Sequence, residues 1–178
     1  MKKTIKLLCI SALLFFAQEA SAQADYSKGD VLLNAGLGLG YYYAGGTPVV
    51  FSAEFAVNDV FSIGPYLGFT SYTYRWNFGS SYRYRYTFID FGVRGSYHFS
   101  KHLNLNTNKL DLYGGAMLGY VASSFSGDDI FGYSDPYGSA VRFGIFGGAR
   151  WYFSKVFSAN AEIGYGVTPM LIGVSFKL

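Results

Sequence analysis

Hydrophobic and polar residues alternate along most of this chain with a period of two. In residues 49–57 the odd-numbered positions are apolar, and Glu54 falls on the even-numbered side. Residues 89–99 repeat the pattern, with Asp90, Arg94 and His98 lying between apolar or aromatic residues. Because successive side chains of a strand point to opposite faces, such runs predict strands with one apolar and one polar face.

The same alternation extends over the rest of the chain and is interrupted by Gly, Asn, Asp, Ser or Pro. These breaks are typical of turns between strands. The pattern predicts eight strands, at residues 30–42, 49–57, 60–74, 83–99, 109–122, 140–153, 157–167 and 170–178.

Within the apolar stretches of these strands, the charged residues share one property: each falls on the face opposite to the bulky apolar residues. They are Glu54, Asp90, Arg94, Asp111, Arg142, Arg150, Glu162 and Lys177. Random placement would give this agreement roughly once in 250 cases, given a period of two. Strands with one apolar face and an opposite face that carries the charges predict an all-β, eight-stranded antiparallel up-and-down transmembrane β-barrel, with lipid outside and a polar lumen.

The connections between the predicted strands alternate in length. Residues 58–59 and 154–156 are short and suit periplasmic turns, whereas residues around 72–86 and 123–139 suit long extracellular loops. Two features fit less well. Residues 100–108 are long for a periplasmic turn, and Pro65 removes a ladder hydrogen bond from the third strand unless a bulge lies there.

The N-terminus predicts export from the cytoplasm. Residues 1–22 combine early lysines, an apolar run at 7–16 and the small-x-small sequence Ala20-Ser21-Ala22, as a cleaved secretory signal peptide does. We therefore expect residues 23–178 to form a single barrel domain in the outer membrane of a Gram-negative cell.

Composition removes several classes of function. The net charge of +3 includes the signal segment; without its three lysines and Glu19, eleven basic and ten acidic residues remain, which gives no reason to expect a nucleic-acid partner. Cys9, the only cysteine, also lies in that segment, so no disulfide and no cysteine metal site is expected. We expect no cofactor and no bound metal.

Several glycine- and aromatic-rich runs resemble a known scaffold. They are Phe91-Gly92-Val93-Arg94-Gly95-Ser96-Tyr97-His98-Phe99, Leu112-Tyr113-Gly114-Gly115-Ala116-Met117-Leu118-Gly119-Tyr120, Gly147-Gly148-Ala149-Arg150-Trp151-Tyr152-Phe153 and Ala161-Glu162-Ile163-Gly164-Tyr165-Gly166. On these runs, and over essentially all of residues 23–178, the chain resembles a family of small outer-membrane β-barrel proteins common among Bacteroidetes-type bacteria. It is broadly similar to the eight-stranded barrels of enterobacterial outer membranes. The resemblance implies a scaffold rather than an activity. It also implies the barrel-assembly machinery as a partner, although the ending Phe176-Lys177-Leu178 matches the aromatic C-terminal signal only in part.

An eight-stranded barrel is just wide enough inside for its own side chains. We therefore predict a lumen filled by a polar network of Glu54, Asp90, Arg94, His98, Asp111, Arg142, Arg150, Asn160 and Glu162. A hairpin folded about Lys155 places Arg150 opposite Asn160 and one pair step from Glu162, and a second hairpin brings His98 opposite Asp111. Structural ion pairs are favoured over a transport pathway, since a pore needs more strands.

The segment at 72–86 is rich in tyrosine and arginine. An aromatic girdle that continues into a protruding hairpin explains it without any ligand. If the strand alternation continues, however, Arg75, Arg83 and Arg85 point outward just above the lipid, where guanidinium groups can pair with lipopolysaccharide phosphates.

No enzyme is expected. His98 and His102 map to the periplasmic end, and Ser123, Ser124 and Ser126, at the other end, have no histidine near them to act as a base. Asp128, Asp129 and Asp135 lack the regular spacing of a calcium loop. We expect a monomer with a structural or surface-interaction role: envelope integrity, lipopolysaccharide contact or adhesion. The alternatives are a narrow porin-like channel for ions or small solutes and a lipid A-modifying enzyme.

Overall fold

The computed structural model describes residues 26–42, 45–78, 80–100, 102–103, 107, 109–127 and 138–178, with backbone alone for 76–78, 80–82 and 127. The predicted signal peptide, and the loop that contains Asp128, Asp129 and Asp135, lie outside these residues.

Eight strands form a closed barrel in which each strand pairs antiparallel with its neighbours in chain order and β8 closes against β1. The strands are β1 (Val31–Gly38), β2 (Val49–Ala56), β3 (Phe61–Phe78), β4 (Ser80–His98), β5 (Leu110–Gly127), β6 (Ala140–Tyr152), β7 (Phe157–Tyr165) and β8 (Met170–Lys177). This confirms the predicted all-β, up-and-down, eight-stranded architecture. Within the described ranges, no helix is long and apolar enough to cross a membrane.

Three strands are longer than predicted. β3 and β5 have 18 residues each and β4 has 19, and β3 pairs with β4 continuously up to Phe78 and Ser80. Residues 72–78 and 80–86 are therefore strand rather than loop, as are residues 123–127. The predicted boundaries were wrong because the outward residues become polar above Phe69 while the period of two continues.

Pro65 lies within β3 and is opposite Val93 of β4. On its other side, the pairing with β2 passes from Ser52–Tyr66 to Phe55–Ile63 without a change of register. The bulge considered from the sequence is thus not needed. The ladder is interrupted around Pro65, which has no N–H to donate.

The two faces of the sheet differ in polarity, as the sequence predicts. Large apolar side chains on the outer face are between about 40 and 75 % exposed; examples are Leu33, Phe51, Leu67, Phe91, Leu118, Val141, Ile145, Ile163 and Ile172. The interior contains the charged groups, and a cluster of buried apolar residues lies towards each end. Tyr26, Leu32 and Ala56 form the cluster at the end where the chain termini lie, here called the terminal end. Tyr41, Val50, Tyr66, Phe88, Val121, Val167 and Leu171 form the cluster towards the hairpin end, named after the long β3–β4 hairpin.

Candidate functional site

The charged strand residues lie inside the barrel. Seven of the eight are at most 8 % exposed, namely Glu54, Asp90, Arg94, Asp111, Arg142, Arg150 and Glu162. Lys177 is the exception: at the terminal end, it is partly buried and its Nζ lies 3.3 Å from Oδ2 of Asp30. The interior polar groups form three connected sets along the barrel.

The first set surrounds Arg150, which is completely buried. Its Nη2 lies 3.1 Å from Glu54 Oε1, and its Nη1 lies 3.0 Å from Asp111 Oδ2. Nε donates to Ser175 Oγ at 3.1 Å, and Nη2 also donates to Asn34 Oδ1 at 3.2 Å. One guanidinium therefore contacts two carboxylates and links its own strand, β6, to four other strands of the wall.

Strand register explains only part of this set. Asp111 is directly opposite Arg150 in the β5–β6 pair, whereas Glu54 reaches it from β2 across the lumen. The predicted pairing of Arg150 with Asn160 is confirmed. The predicted position of Glu162, one pair step from Arg150 along the hairpin, is also confirmed. Glu162 nevertheless pairs with Arg94 rather than with Arg150, because in a barrel this narrow a long side chain finds partners across the interior as readily as along its own sheet.

The second set pairs Arg94 with Glu162. Nη2 of Arg94 lies 2.7 Å from Glu162 Oε1, and the guanidinium lies over the Phe146 ring at 4.1 Å. The Tyr113 hydroxyl donates to the same Glu162 oxygen at 3.0 Å. Tyr113 fits because Gly148 has no side chain: a Cβ there would lie 2.7 Å from the tyrosine ring.

The third set lies at the hairpin end, where Arg142 forms an ion pair with Asp90. Tyr41, from the connection after β1, donates its hydroxyl to Asp90 Oδ2 at 3.1 Å and accepts from Arg142 Nη2 at 3.3 Å. Burial, together with the nearby Asp90 carboxylate, raises the pKa of Tyr41 above its usual range. The hydroxyl therefore stays protonated and available to Asp90.

His98 extends the first set towards the terminal end. Its Nδ1 lies 2.9 Å from Asp111 Oδ2 and its Nε2 lies 3.2 Å from Ser62 Oγ, while the Tyr26 ring stacks on the imidazole at 3.8 Å. The sequence predicted that His98 lies directly opposite Asp111. This register was wrong by two residues, because His98 is opposite Tyr113. The contact with Asp111 is diagonal across the two strands.

Ser62, His98 and Asp111 thus have the connectivity of a Ser-His-Asp triad. Two observations oppose nucleophilic chemistry. Ser62 is completely buried, and its hydroxyl donates to Glu54 Oε2 at 2.9 Å. A substrate would also have to displace Tyr26 from the imidazole. The geometry supports a structural role for these groups.

Several members of the network were missed from the sequence. Asn34, Ser62, Tyr113 and Ser175 lie on the inward phase of their strands, so the period of two that located the charges could have located them as well. Tyr41 lies outside any strand, and no periodic signal could have identified it.

The three hairpin arginines are on the outer face. Arg75, Arg83 and Arg85 are exposed, and Arg75 is directly opposite Arg83 on the neighbouring strand. The ion pairs found in the described part of the chain involve other cations. Like charges directly opposite each other destabilise a sheet, so this arrangement favours an anion between them.

No group of His, Cys, Asp or Glu residues suited to a metal ion occurs among the residues that the structure describes.

Comparison with known proteins identifies the fold. No protein-family model and no curated protein matches the chain. Among solved structures, the chain is similar to Ail, the attachment invasion locus protein of Yersinia pestis, in complex with the heparin analogue sucrose octasulfate (TM-score 0.57, 12 % identity, covering 85 % of this chain and 99 % of that one). It is also similar to a de novo designed transmembrane β-barrel (TM-score 0.52, 18 % identity, covering 86 % and 99 %). At these identities, the likeness shows a shared eight-stranded barrel fold.

Proposed function

We propose that this chain is an integral outer-membrane protein whose sealed barrel holds a surface hairpin against lipopolysaccharide, in a structural or surface-interaction role. The observation that carries the proposal is the combination of an apolar outer face with a charged interior. In water the outer face would expose a broad apolar surface, at a cost of about 25 cal/mol for each Å². Hydrocarbon removes that cost.

The apolar outer band has the height of a membrane. On β3 the outward residues from Phe61 to Phe69 are apolar, and the next outward residue, Ser71, is polar. Eight residue steps of about 3.3 Å, tilted by about 40°, give a height of about 20 Å, close to the apolar band of about 25 Å in outer-membrane barrels. The band ends at a similar level on β4, between Ile89 and Thr87.

The filled interior favours a sealed barrel over a channel. Three buried ion-pair sets occupy the lumen, and an apolar cluster covers them at each end. Planar-bilayer recording of the purified protein tests this alternative. We expect no steady single-channel conductance. Reproducible stepwise openings would instead favour a narrow porin-like channel.

The hairpin arginines support contact with lipopolysaccharide phosphate. Arg85 lies four residues beyond Ile89, about 10 Å above the edge of the apolar band at a tilt of about 40°. A long cationic side chain at that height can reach phosphates in the headgroup layer, and the fork of a guanidinium can bind them bidentately.

Replacement of these arginines tests the contact. The triple variant Arg75→Gln, Arg83→Gln, Arg85→Gln should retain less lipopolysaccharide through detergent purification. The matched triple lysine variant keeps the charge and should retain an intermediate amount, because it loses the bidentate geometry. Unchanged retention in the glutamine variant would contradict the proposal.

The alternative of a lipid A-modifying enzyme would have to use the Ser62–His98–Asp111 connectivity, which the burial of Ser62 and its donation to Glu54 oppose. Mass spectrometry of lipid A from cells with and without the protein separates the two functions. Identical lipid A species in both would leave the structural role standing.

Several further points belong to the same proposal. The chain is exported with a cleaved signal peptide, is inserted by the barrel-assembly machinery and acts as a monomer. The glycine- and aromatic-rich runs, such as residues 91–99, support a place among the small barrels of Bacteroidetes-type bacteria.

A further inference from the structure

The polarity of the two sheet faces is exchanged at the hairpin end. Along β4, the outward residues Phe91 and Ile89 are followed by Thr87, Arg85 and Arg83. The inward residues change in the opposite direction, from Arg94 and Asp90 to aromatic side chains. The charged side of the sheet thus passes from the inside to the outside at the upper edge of the apolar band.

The inward face above this level is built from aromatic rings, here called the aromatic wall. Its members are Tyr72, Tyr74, Tyr84, Tyr86, Phe88 and Phe125. The Tyr86 and Phe125 centroids are 5.0 Å apart, those of Tyr84 and Phe125 are 5.8 Å apart, and those of Tyr86 and Phe88 are 6.3 Å apart. The inward positions of this wall whose side chains the structure describes include no charged residue.

The strands of the aromatic wall rise above the other strands, and the β1–β2 connection lies beside Tyr72, whose ring would be 3.7 Å from a Cβ on Gly45. β1 ends at Gly38 and β2 begins at Val49, whose partner on β3 is Phe69, so these strands end below the wall. On the other side, β6 begins at Ala140, opposite Val121 of β5. Tyr74 is 47 % exposed, and Tyr72, Tyr84 and Tyr86 are half-buried.

We propose that the aromatic wall binds uncharged sugar rings of lipopolysaccharide in the same outer leaflet, an inference that rests on the proposed function. The C–H face of a pyranose packs flat on an aromatic ring. The two faces of the hairpin differ in charge and therefore suit different parts of lipopolysaccharide. The outward face carries arginines, which suit phosphates, and the inward face is uncharged, which suits neutral sugars. Height agrees, because Phe88 adjoins Ile89 at the edge of the apolar band and the other rings lie above it.

The position of the wall favours sugar over a folded protein partner. Its rings begin at the edge of the apolar band and face across the mouth of the barrel, within the layer that lipopolysaccharide sugars occupy. A globular protein would have to enter that layer before reaching them.

The test uses the complete protein in phospholipid nanodiscs. The probe is polysaccharide released from lipopolysaccharide by mild acid and freed of phosphate with hydrofluoric acid. Saturation-transfer NMR should show transfer from aromatic protons to sugar protons, and titration should give a saturable affinity. The paired variant Tyr72→Leu, Tyr84→Leu should weaken binding by a factor of about four to a hundred, since each aromatic contact contributes roughly a factor of two to ten.

The matched variants keep the result interpretable. Tyr72→Phe, Tyr84→Phe retains the rings and should bind within about threefold of the original protein. Thr73→Leu, Thr87→Leu alters the outer face of the same hairpin and should have no effect. Heat-modifiable mobility on gels confirms that each variant is a folded barrel.

The outcomes separate this inference from the proposed function. Absence of saturation transfer, or equal affinity of the leucine pair and the original protein, overturns the sugar site. If the full chain did not bind the polysaccharide but a variant without residues 128–137 did, the chain's own loop would occupy the wall. That result would also overturn the sugar site. Retention of lipopolysaccharide that depends on Arg75, Arg83 and Arg85 would leave the proposed function intact in either case.

Discussion

Arg150 shows at the scale of one residue how this interior is stabilised. Its guanidinium is completely buried and contacts both Glu54 and Asp111. Three interior arginines face four carboxylates, so each cation that is lost leaves negative charge inside the barrel.

Replacement of Arg150 by methionine should destabilise the barrel by about 3–5 kcal/mol, because two buried carboxylates lose their shared cation. Equilibrium unfolding in urea, with the protein folded in phospholipid vesicles, measures the change. Lys177→Met, at the partly exposed Asp30 pair, is the matched control and should cost less than about 1 kcal/mol. Equal losses in the two variants would contradict the central place of Arg150.

The Ser62–His98–Asp111 arrangement should be unreactive. A fluorophosphonate probe needs an accessible, activated serine, and Ser62 is completely buried and donates to Glu54. Mass spectrometry of the probe-treated folded protein should find no adduct on Ser62. Labelling that disappears in His98→Gln would establish an activated serine and revive the enzyme alternative.

The sequence predicts which face of a strand a side chain lies on better than it predicts which residue that side chain contacts. A period of two was enough to place Glu54, Arg94 and Arg150 inside, because it depends only on local geometry. The partners of Arg150 depend on register and on the width of the lumen, and neither is encoded in one strand. The predicted neighbour, Glu162, belongs to Arg94 instead.

At the scale of the element, strand ends were the least predictable feature. Residues 75–78 and 123–127 continue β3 and β5, although the outward side chains described there, Arg75, Ser124 and Ser126, are no longer apolar. The boundaries were placed where the apolar pattern ended, and that point marks the edge of the apolar band rather than the end of hydrogen bonding. The end of β1 was also predicted wrongly: the predicted strand ran to residue 42, but β1 ends at Gly38, whose N–H donates to Pro48 O at 2.7 Å, and Gly40 has a φ of 88°.

Close packing between β5 and β6 gives a sharp test at this scale. Gly148→Ala places a Cβ 2.7 Å from the Tyr113 ring and should cost about 1–3 kcal/mol by overpacking. Gly147→Ala is the matched control on the outward face, where the nearest atom would be 4.0 Å away, and should be neutral or slightly stabilising. The same urea unfolding compares the two variants. If Gly148→Ala left the free energy of unfolding unchanged, Tyr113 would not lie over β6.

At the scale of the whole molecule, an inverted distribution of polarity defines the protein. The outer face is apolar over a membrane-like height, and the interior is filled by ion pairs under two apolar covers. The closed topology leaves the strand wall without a free edge inside the apolar band, as a spanning barrel requires. The fold was predictable because every strand repeats the same signal, whereas ligands depend on a few side chains that no repeating pattern marks.

Spin-label accessibility along the outer face of β4 tests the central claim most directly. Cys9 lies in the predicted signal peptide, so single cysteines at Phe91, Ile89 and Thr87 can be labelled in the protein reconstituted in bilayers. We predict that labels at Phe91 and Ile89 collide with oxygen far more than with a water-soluble nickel chelate, and that this preference reverses at Thr87. High nickel accessibility at all three positions would show that water, rather than hydrocarbon, surrounds the barrel, and would contradict the account.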